Sequence, residues 1–562
     1  MSGFYFPAMK LPSNYTHQPI PLYRNYIEIQ CATLGCAIFL LQYGVKILDP
    51  TFIGWLLSRD SATHFLGWHF FRSEPWGFPL GTIKSYIYPH GTSIVLTDSI
   101  PLLALPLKLL STILPHPFQY LGLWLLTSYI LQGFFGAKLL RQITHNQSLI
   151  LIGVLFFLLS PIMTRKAGAQ CALASHWLIL AALHLYLSPQ SSKKQYTWLI
   201  LLTIASLIHF YLFFMVGTIW IAYLWRLKRE GITVMKMMAI TIGVTGMTMW
   251  IAGYFVIGLS ATSAPGFGTV YMMNLLAPIL PPFNNYFTFN PVNFLPTISQ
   301  DLLGQRAGFN YLGLGALLMV TLALYQQLTH PFSFLTIKKH CPLIVAALVL
   351  FLLAISNKIT FYDSVLIEIN MPIFLKKCLG IIHASGRMFW PISYLLILTS
   401  IAVISKLNSA KRATYIMIFL IIIQVVDLWP DVKNKSIGSA QFKDPLKSKK
   451  WNEIANKISH IKIIPPERNK DDYIPFALLA GNNQKTINIG YAARANPDQT
   501  ISQQNDLDDY NKGNYSADTL YIIKNSYPNM PVSTEKFTIK ELDGYHIVTP
   551  REEYSLPRYP EW

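Results

Sequence analysis

The sequence predicts a polytopic α-helical membrane protein of about eleven spans, followed by a small C-terminal α/β domain. Hydrophobic residues make up 52% of the chain and aromatic residues 14%, which is high for a soluble protein. Many apolar runs approach 20 residues, the length of helix that crosses a bilayer. The net charge of +18 lies almost wholly before Pro430, because the chain from Pro430 onwards carries 18 Lys/Arg and 17 Asp/Glu.

The apolar runs are the candidate membrane spans. A basic excess in this part of the chain is typical of the cytoplasmic loops of a multi-span protein. The runs lie at 29–48, 94–113, 118–140, 148–162, 170–188, 196–226, 233–258, 309–328, 342–356, 387–406 and 412–429.

Basic residues between the runs predict the orientation. Lys10 and Arg24 place the N-terminus in the cytoplasm, and basic clusters at 226–230, 338–339 and 406–412 indicate cytoplasmic loops. The first 25 residues lack the early apolar region of a signal peptide, so we expect the first helix to act as an uncleaved signal-anchor. The C-terminal domain is then expected in the periplasm or its equivalent.

Two topologies are open for the middle of the membrane part. If 94–113 is a full span, the loops with Arg141 and Lys194 face outward, against the charge rule. If 94–113 is re-entrant or shallow and 196–226 divides into two short helices near His209, those loops face inward and Arg165 faces outward. The charge rule favours the second topology, and both leave the termini on opposite sides.

We expect two domains, a membrane domain at 1–429 and a soluble one at 430–562. The second alternates a helical stretch (451–458) with strand-like stretches at 461–464, 486–489, 520–523 and 545–548, and Asp543-Gly544 is a turn signal. Three outward loops, 49–93, 259–308 and 357–386, are long, and loops of this length are uncommon unless functional. Part of the aromatic-rich first loop is expected to lie as an amphipathic helix on the membrane surface.

Several classes of site are absent from the sequence. The five cysteines form no CxxC or Cys/His cluster, and the basic residues form no nucleic-acid stripe. Phosphate-loop, dinucleotide and HExxH signatures are missing, and the membrane part has no Asp-x-Asp. We therefore predict no metal site, no cofactor and no nucleic-acid partner.

Acidic residues are scarce before Pro430. A carboxylate near a membrane is costly and is usually retained for a task, so these residues form a short list of candidate catalytic bases. They are Glu28, Asp49, Asp60, Glu74, Asp98, Glu230, Asp301, Asp363, Glu368 and Asp427.

Asp60 is the preferred catalytic candidate. If 61–73 is helical, Asp60, His64 and Trp68 share one face at i, i+4 spacing. A carboxylate beside aromatic rings suits a general base that acts on a sugar hydroxyl. The alternative is that Asp60 only caps this helix, and the two roles are compatible.

His90 and Asp98 lie further along the chain than Asp60. Asp98, with Pro101 in the following turn, is either a helix N-cap or a residue of the substrate cavity. His90 precedes Gly91 in a turn, where it either donates to a phosphate or is structural.

Arg387 is the preferred ligand for a lipid phosphate. It lies at the outer mouth of an apolar helix, where a guanidinium can hold a phosphate bidentately. The alternative is an interfacial arginine whose side chain snorkels. Weaker candidates for the phosphate or the substrate cavity are Arg165 with Lys166, Lys84, Arg72 and Arg306, together with His176 and Trp177, which follow Arg165 at near-helical spacing.

Several stretches of this chain resemble the membrane-embedded GT-C glycosyltransferases, and more closely a bacterial family of that superfamily known only as a domain of unknown function. Together they cover most of the membrane part. The stretches are Asp60 with 64–72 (HFLGWHFFR), 75–81 (PWGFPLG), 88–93 (YPHGTS), 97–101 (TDSIP), 310–315 (NYLGLG), 385–391 (SGRMFWP) and 424–428 (QVVDL).

This resemblance implies transfer of a sugar from a polyprenyl-phosphate donor, at the outer leaflet of a bacterial inner membrane, to a glycan, lipid or protein acceptor. By position, Asp60 matches the early acid of the superfamily. This chain has one acid there, not a pair, and it lacks the later acidic pair of metal-dependent oligosaccharyltransferases. Both departures favour an inverting, metal-independent mechanism.

Two other classes of function remain open. A transporter or flippase of a lipid-linked saccharide would favour an internal repeat and charges within helices, and the sequence shows no repeat. A non-catalytic envelope scaffold predicts that Asp60, Arg165 and Arg387 lie far apart in the fold.

Overall fold

A computed structural model describes residues 26–189, 194–258, 266–269, 271–281, 308–331, 334–407, 409–434, 442–467, 471–525, 527 and 535–551. Arg306 and most of the predicted outward loop 259–308 lie outside these residues. The described helices of the membrane part are α1 (Tyr26–Tyr43), α2 (Arg59–Phe71), α3 (Pro101–Lys108), α4 (Leu121–Leu140), α5 (Gln147–Leu158), α6 (Pro161–Ala167), α7 (Trp177–Leu187), α8 (Lys194–Ile208), α9 (Phe210–Arg229), α10 (Met235–Ala252), α11 (Leu314–Thr329), α12 (Phe334–Ile355), α13 (Ile373–Leu379), α14 (Trp390–Ile404) and α15 (Ala410–Asn434).

Length and composition identify membrane spans among these helices. Seven described helices are long and apolar enough to cross a bilayer, and the pair α5 and α6, bent by 49°, makes an eighth if it is one broken span. Three shorter apolar helices, Cys171–Leu187, Lys194–Ile208 and Leu314–Thr329, accompany them. The chain is therefore a multi-span helical protein, and the count of about eleven spans, which also needs the shorter helices, stays a prediction.

The structure tests two elements of the topologies considered for the middle of the chain. The segment 94–113 contains only the eight-residue helix α3, too short to cross a bilayer. The segment 196–226 is divided into α8 and α9 at His209, whose backbone is extended (φ −164°, ψ 135°). The predicted break at His209 is therefore confirmed and 94–113 is not a full span, but α9, with 20 residues, is long enough to cross a bilayer and is not a short helix. The sides on which the connecting loops lie stay a prediction.

Helix α2 differs from expectation. The helix predicted at 61–73 exists, but each residue from Ser61 to Phe71 is buried, so α2 is not an amphipathic helix on the membrane surface. One side of α2 packs against the C-terminal domain, where a Cβ at Gly481 would lie 2.4 Å from the His69 ring. The aromatic-rich sequence of α2 serves burial on all sides.

The C-terminal domain is a mixed sheet with three helices. Its strands are β5 (His460–Ile464), β6 (Thr486–Ile487), β7 (Thr519–Ile523), β8 (Phe537–Leu542) and β9 (Tyr545–Pro550); β1 (Thr82–Ile83) with β2 (Thr92–Ser93), and β3 (Lys358–Phe361) with β4 (Ser364–Glu368), form hairpins in the membrane part. The sheet order is β6-β5-β7-β9-β8, with β5 parallel to β6 and β7 and the pairs of β9 antiparallel. Its helices are α16 (Lys450–Ala455), α17 (Ile474–Asn482) and α18 (Gln499–Lys512).

This small α/β domain agrees with the predicted helix and four predicted strands. The turn at Asp543-Gly544 joins β8 to β9, with positive φ at both residues. Strand β8 was not predicted, although the alternation of Phe537 and Ile539 with the polar Thr538 and Lys540 is compatible with an edge strand.

The loop 49–93 extends the sheet of the C-terminal domain. The Tyr88 amide donates to the Ile487 carbonyl (2.8 Å), and the Ile487 amide donates to the Ser85 carbonyl (2.9 Å). The loop thereby pairs with β6 at the sheet edge, and the Tyr88 ring stacks on His460 at 4.7 Å. Backbone pairing covers an edge that would otherwise expose unpaired N–H and C=O groups.

One of the scarce acids, Asp427 on α15, caps another helix. Its Oδ2 accepts from the Leu314 amide and the Tyr311 hydroxyl, both at 2.9 Å, and Gln424 on the same helix accepts from the Ala316 amide (3.0 Å). The first N–H groups of a helix have no partner within it, so α15 satisfies the start of α11.

Replacing Asp427 by leucine is expected to destabilise the protein. Two buried donors would lose their acceptor, at a cost of about 1–3 kcal/mol each, while Asp427→Asn keeps an amide oxygen and should lose less. Thermal unfolding of the detergent-purified variants measures this. Thr399→Leu, at an exposed position of α14, is the control, and equal midpoints for it and Asp427→Leu would refute the capping role.

Candidate functional site

A cavity of about 380 Å³ lies where the ends of several membrane helices meet the C-terminal domain. Its walls come from α2, the loop before α3, the segment after α6, the break at His209, the end of α10 and the segment 381–387. The C-terminal domain contributes Tyr491, Ala493 and Arg494. The cavity thus joins residues that are far apart in the chain.

Asp60 and Arg387 line this cavity and are joined through a third side chain. Gln170 Nε2 donates to Asp60 Oδ2 (2.6 Å), and Arg387 donates through an Nη atom to Gln170 Oε1 (3.2 Å). One amide therefore lies between a carboxylate and a guanidinium. The preferred acid and the preferred phosphate ligand are placed in one site.

Asp60 is held in the first turn of α2. The N-cap residue of α2 is Ser58, so Asp60 is not the cap that the alternative interpretation assigned to it. A carboxylate in the first turn is favoured by the positive end of the helix dipole. His64, one turn later on the same face, also lines the cavity, as its spacing from Asp60 predicted.

Asp98 is a second carboxylate of the cavity. The N-cap of α3 is Ile100, so the capping interpretation of Asp98 is wrong. Asp98 Oδ1 lies 3.4 Å from His209 Nε2, and its backbone carbonyl lies 2.7 Å from His64 Nδ1. Burial opposes ionisation of Asp98, but His209, His64 and Arg387 outweigh it, so the pKa of Asp98 is lowered and the carboxylate is charged at neutral pH.

His209 is fixed as a hydrogen-bond donor to Asp98. Its Nδ1 accepts from the Tyr211 amide at the start of α9 (3.1 Å). The proton of the neutral ring is therefore on Nε2, which faces Asp98. Because both ring nitrogens are engaged, His209 orients Asp98 and does not serve as a base.

Three basic side chains line the cavity together with the two carboxylates. Lys166 and Arg387 come from the membrane part and Arg494 from the C-terminal domain. The Arg387 guanidinium lies 4.8 Å from the centre of the Tyr211 ring. The 3₁₀ turn that contains Arg387 is held by Asn310, whose side-chain amide donates to the Gly386 carbonyl (2.9 Å). The cavity is therefore suited to bind an anionic group that has a polar, uncharged group next to it.

Two contacts with the segment 86–96 position the cavity residues of the C-terminal domain. The Tyr491 amide donates to the Tyr86 hydroxyl (3.1 Å), and the Ala493 amide donates to the Leu96 carbonyl (2.7 Å). Burial, with the nearby charges of Asp60 and Asp98, raises the pKa of Tyr491 to about 12, so this phenol is neutral. Arg494 is set beside these residues by backbone bonds and not by flexible side chains alone.

Trp68 and Arg72 were predicted in the substrate cavity and belong elsewhere. Trp68 Nε1 donates to the Phe118 carbonyl (3.0 Å). The Arg72 guanidinium donates to the carbonyls of Pro115, Ser111 and Leu114 at 2.9–3.1 Å. Both side chains hold the segment after α3, and neither is among the residues that line the cavity.

His176 and Trp177 are also placed in the core between helices. His176 is fully buried, with Nδ1 2.8 Å from the Tyr394 hydroxyl and its ring 4.5 Å from that of Trp390. Trp177 stacks on Phe135 at 5.6 Å. They pack α7 against α14 and α4, and neither lines the cavity among the described residues.

The weaker phosphate candidates are dispersed. Arg165 lies over the Phe309 ring (4.8 Å), while its neighbour Lys166 faces the cavity. Lys84 is exposed, and its backbone amide donates to Glu74 (2.9 Å). His90 Nε2 lies 2.6 Å from the Ser502 hydroxyl and joins the loop to the C-terminal domain. Arg306 lies outside the described residues.

Sequence reasoning missed several residues of the cavity. His209 had a visible signal, since it marks the predicted helix break, and Gln170 is an isolated polar residue before an apolar run. Nothing in the polar C-terminal sequence distinguished Arg494 from other surface arginines. The residues that it did not select are Gln170, His209, Tyr211, Tyr254, His383, Tyr491 and Arg494, with Lys166 named only beside Arg165.

Comparison with known proteins gives a family and distant structural neighbours. The family described as Domain of unknown function (DUF6311) matches residues 32–429, and the DUF6311 C-terminal domain matches residues 450–550. No curated protein matches the chain.

Two solved structures of Archaeoglobus fulgidus proteins are similar to the chain. The first is an oligosaccharyltransferase tethered with an acceptor peptide (11% identity, TM-score 0.39, 85% of this chain and 65% of that chain). The second is the archaeal oligosaccharyltransferase AglB in complex with an inhibitory peptide and a dolichol-phosphate (10% identity, TM-score 0.38, 84% and 65%). The chain spans less than two thirds of the length of these proteins, and at these values the likeness does not assign a function.

Acid is expected to destabilise the protein through His383, which lines the cavity. Burial, with the charges of Arg387 and Arg494, lowers the pKa of His383 from 6.5 to about 4. Since the unfolded chain takes up this proton at a higher pH, stability falls as the pH drops from 6.5 towards 4, by about 2 kcal/mol at pH 5.

Unfolding midpoints at pH 7 and pH 5, compared between the wild type and His383→Gln, measure this effect. The variant should lose less stability on acidification. His330→Gln, at an exposed position after α11, is the control and should behave as the wild type. Equal acid sensitivity of the wild type and His383→Gln would contradict the argument.

Proposed function

The chain belongs to the family described as Domain of unknown function (DUF6311), and we propose that it is an integral-membrane glycosyltransferase that moves a sugar from a polyprenyl-phosphate-linked donor to an acceptor. The observation that carries the proposal is the chain of hydrogen bonds from Asp60 through Gln170 to Arg387 at the wall of one cavity. It supports the proposal because the candidate base and the candidate phosphate ligand line the same cavity.

Asp60 is proposed as the general base. One of its oxygens accepts from Gln170, and the other is proposed to take the proton of the acceptor hydroxyl. The hydroxyl oxygen then forms a bond to the anomeric carbon as the bond from that carbon to the phosphate oxygen breaks. A single displacement of this kind inverts the configuration at the anomeric carbon.

Arg387, with Lys166 and Arg494, is proposed to hold the donor phosphate. The breaking bond leaves its electron pair on the phosphate oxygen, so negative charge develops there. Fixed cations at this point stabilise the charge more than water does, because the cavity is partly closed. A phosphate met by cations can leave without a proton from a catalytic acid.

Asp98 and the C-terminal domain are proposed to orient the acceptor. Asp98, held by His209, can accept from a second acceptor hydroxyl, and Tyr491 also lines the cavity. The metal-independent mechanism stays a prediction. Among the described residues, no group of three or more His, Cys, Asp or Glu side chains is placed to hold a metal ion.

The cavity is proposed to face the extracytoplasmic side. Arg141, Arg226 and Arg229 lie at the opposite ends of the helices, where Arg141 pairs with Glu28 and Arg229 donates to the Lys338 carbonyl (3.0 Å). Basic helix ends favour the cytoplasm. A polyprenyl-linked donor would then react at the outer leaflet of a bacterial inner membrane.

The placement of Asp60 and Arg387 favours a transferase over a non-catalytic scaffold. A scaffold predicts that these residues are separated, and Gln170 contacts both. Arg165, the third residue of that comparison, points elsewhere and has no part in the proposed mechanism.

Asp60→Asn is expected to lower the transfer rate by about 10²–10⁴-fold, because asparagine cannot accept the hydroxyl proton. The variant is assayed in nanodiscs with a panel of polyprenyl-phosphate-linked sugars, and products are identified by mass spectrometry. Asp49→Asn, an exposed acid of the same loop, is the matched control and should keep its activity. Full transfer by Asp60→Asn would remove Asp60 from the mechanism.

Arg387→Gln is expected to weaken binding of polyprenyl monophosphate by about tenfold or more, since a charged hydrogen bond contributes roughly 1.5–3 kcal/mol. Binding is measured by the shift of the unfolding midpoint with ligand concentration. Arg412→Gln, an exposed arginine at the start of α15, is the control. Unchanged binding by Arg387→Gln would show that the phosphate lies elsewhere.

A further inference from the structure

The segment 358–379, which we call the apolar hairpin, contains β3, β4 and α13. Large apolar side chains of this segment are exposed. All five residues of β4 are exposed, among them Leu366 (55%) and Ile367 (53%). On α13, Ile373 and Phe374 are exposed by 75% and 78%. Among the described residues, large exposed apolar side chains are concentrated here.

The strand pattern indicates an apolar environment on both faces. Successive side chains of a strand point to opposite faces, so Leu366 and Ile367 lie on different faces of the hairpin. A hairpin that packs on a protein with its other side in water alternates apolar and polar residues. The three consecutive apolar residues 365–367 do not alternate, so a partner on one face would leave the other face in water.

The hairpin is attached to the membrane spans at both ends. The span Ile337–Ile355 ends three residues before β3, and the span Ser385–Ile404 begins six residues after α13. Its base is fixed by the Ile369 amide, which donates to the Asn357 carbonyl (2.8 Å), and by Asn357 Nδ2, which donates to the Ile369 carbonyl (3.1 Å). The hairpin is therefore held at the level where these two spans leave the bilayer.

The bilayer is the occupant that meets both faces at this level. The open edges of a two-stranded hairpin carry unpaired backbone groups, which excludes the hydrocarbon centre. The boundary between headgroups and acyl chains accepts both apolar side chains and solvated backbone. Lys376 and Lys377 at the end of α13 suit anionic headgroups at that depth.

We propose that the apolar hairpin inserts into the headgroup boundary of the leaflet on the side of the cavity, and that the lipid chain of the donor lies along it. The first part rests on the hairpin alone, and the second rests on the proposed function. The residues after α13 support the second part. Ile381, His383 and Ala384 line the cavity, and Ile381 and Phe255 are cavity residues that remain exposed.

The depth of the hairpin is measured with nitroxide labels at Leu366→Cys and Phe374→Cys. The full chain carries replacements of its five native cysteines, is tested for an unchanged unfolding midpoint, and is placed in nanodiscs with anionic lipid. Collisions with oxygen and with a water-soluble nickel chelate are compared. Ile501→Cys, an exposed apolar position on the polar helix α18, is the water-facing control.

Labels on the hairpin are expected to collide with oxygen in preference to the nickel chelate, and the label at 501 is expected to show the opposite. Nickel accessibility equal to that at 501 would place the hairpin in water and overturn the proposal. Exclusion of both reagents would show that a protein surface, such as a second copy of the chain, covers the hairpin, which also overturns it.

The second part is tested with Leu366→Asp and two probes, a long polyprenyl monophosphate and a citronellyl monophosphate. The variant is expected to bind the long probe about tenfold more weakly and the short probe as the wild type does. Equal binding of the long probe would refute the path along the hairpin. If the wild type binds neither probe, the proposed function and the path both fail, while the depth measurement still decides the first part.

Discussion

The site depends on the separation of Asp60 from Arg387 by the Gln170 amide. A carboxylate and a guanidinium in the same cavity would otherwise form a bidentate ion pair, which satisfies both groups and removes both from the substrate. Gln170 donates to one and accepts from the other, so each keeps part of its hydrogen-bonding capacity while its position is fixed. A single neutral side chain thereby keeps the proposed base and the proposed anion ligand apart.

Other parts of the membrane domain hold both Gln170 and Arg387 in place. Gln170 follows the short helix α6, which makes an angle of 49° with α5. Arg387 is in a 3₁₀ turn held by Asn310, and Asn310 precedes α11, whose start is capped by Asp427 and Gln424. The family-like stretches 310–315, 385–391 and 424–428 therefore form one connected support, although only Arg387 among them faces the cavity.

The sequence was informative where a residue acts through its chemical rarity and uninformative where tertiary packing decides its partner. A scarce carboxylate before a helix and an arginine at a helix mouth identified Asp60 and Arg387. Periodicity could not show which face of α2 meets the cavity, because every face from Ser61 to Phe71 is buried, and so Trp68 and Arg72 were placed wrongly. Gln170 and Arg494 gain their positions only through contacts with segments more than a hundred residues away.

The way in which the C-terminal domain is attached limits how a substrate can enter. Its sheet edge is paired by backbone hydrogen bonds to the loop at Ser85 and Tyr88, and Ala493 is bound to Leu96 beside the cavity. Lifting the domain would break these bonds together and expose the edge of the sheet. Lateral entry past Phe255 and Ile381, which are exposed at the cavity, breaks none of them. A long apolar chain that stays in the bilayer while its phosphate reaches Arg387 fits this entrance, so the attachment of the domain favours a membrane-held donor over a soluble one.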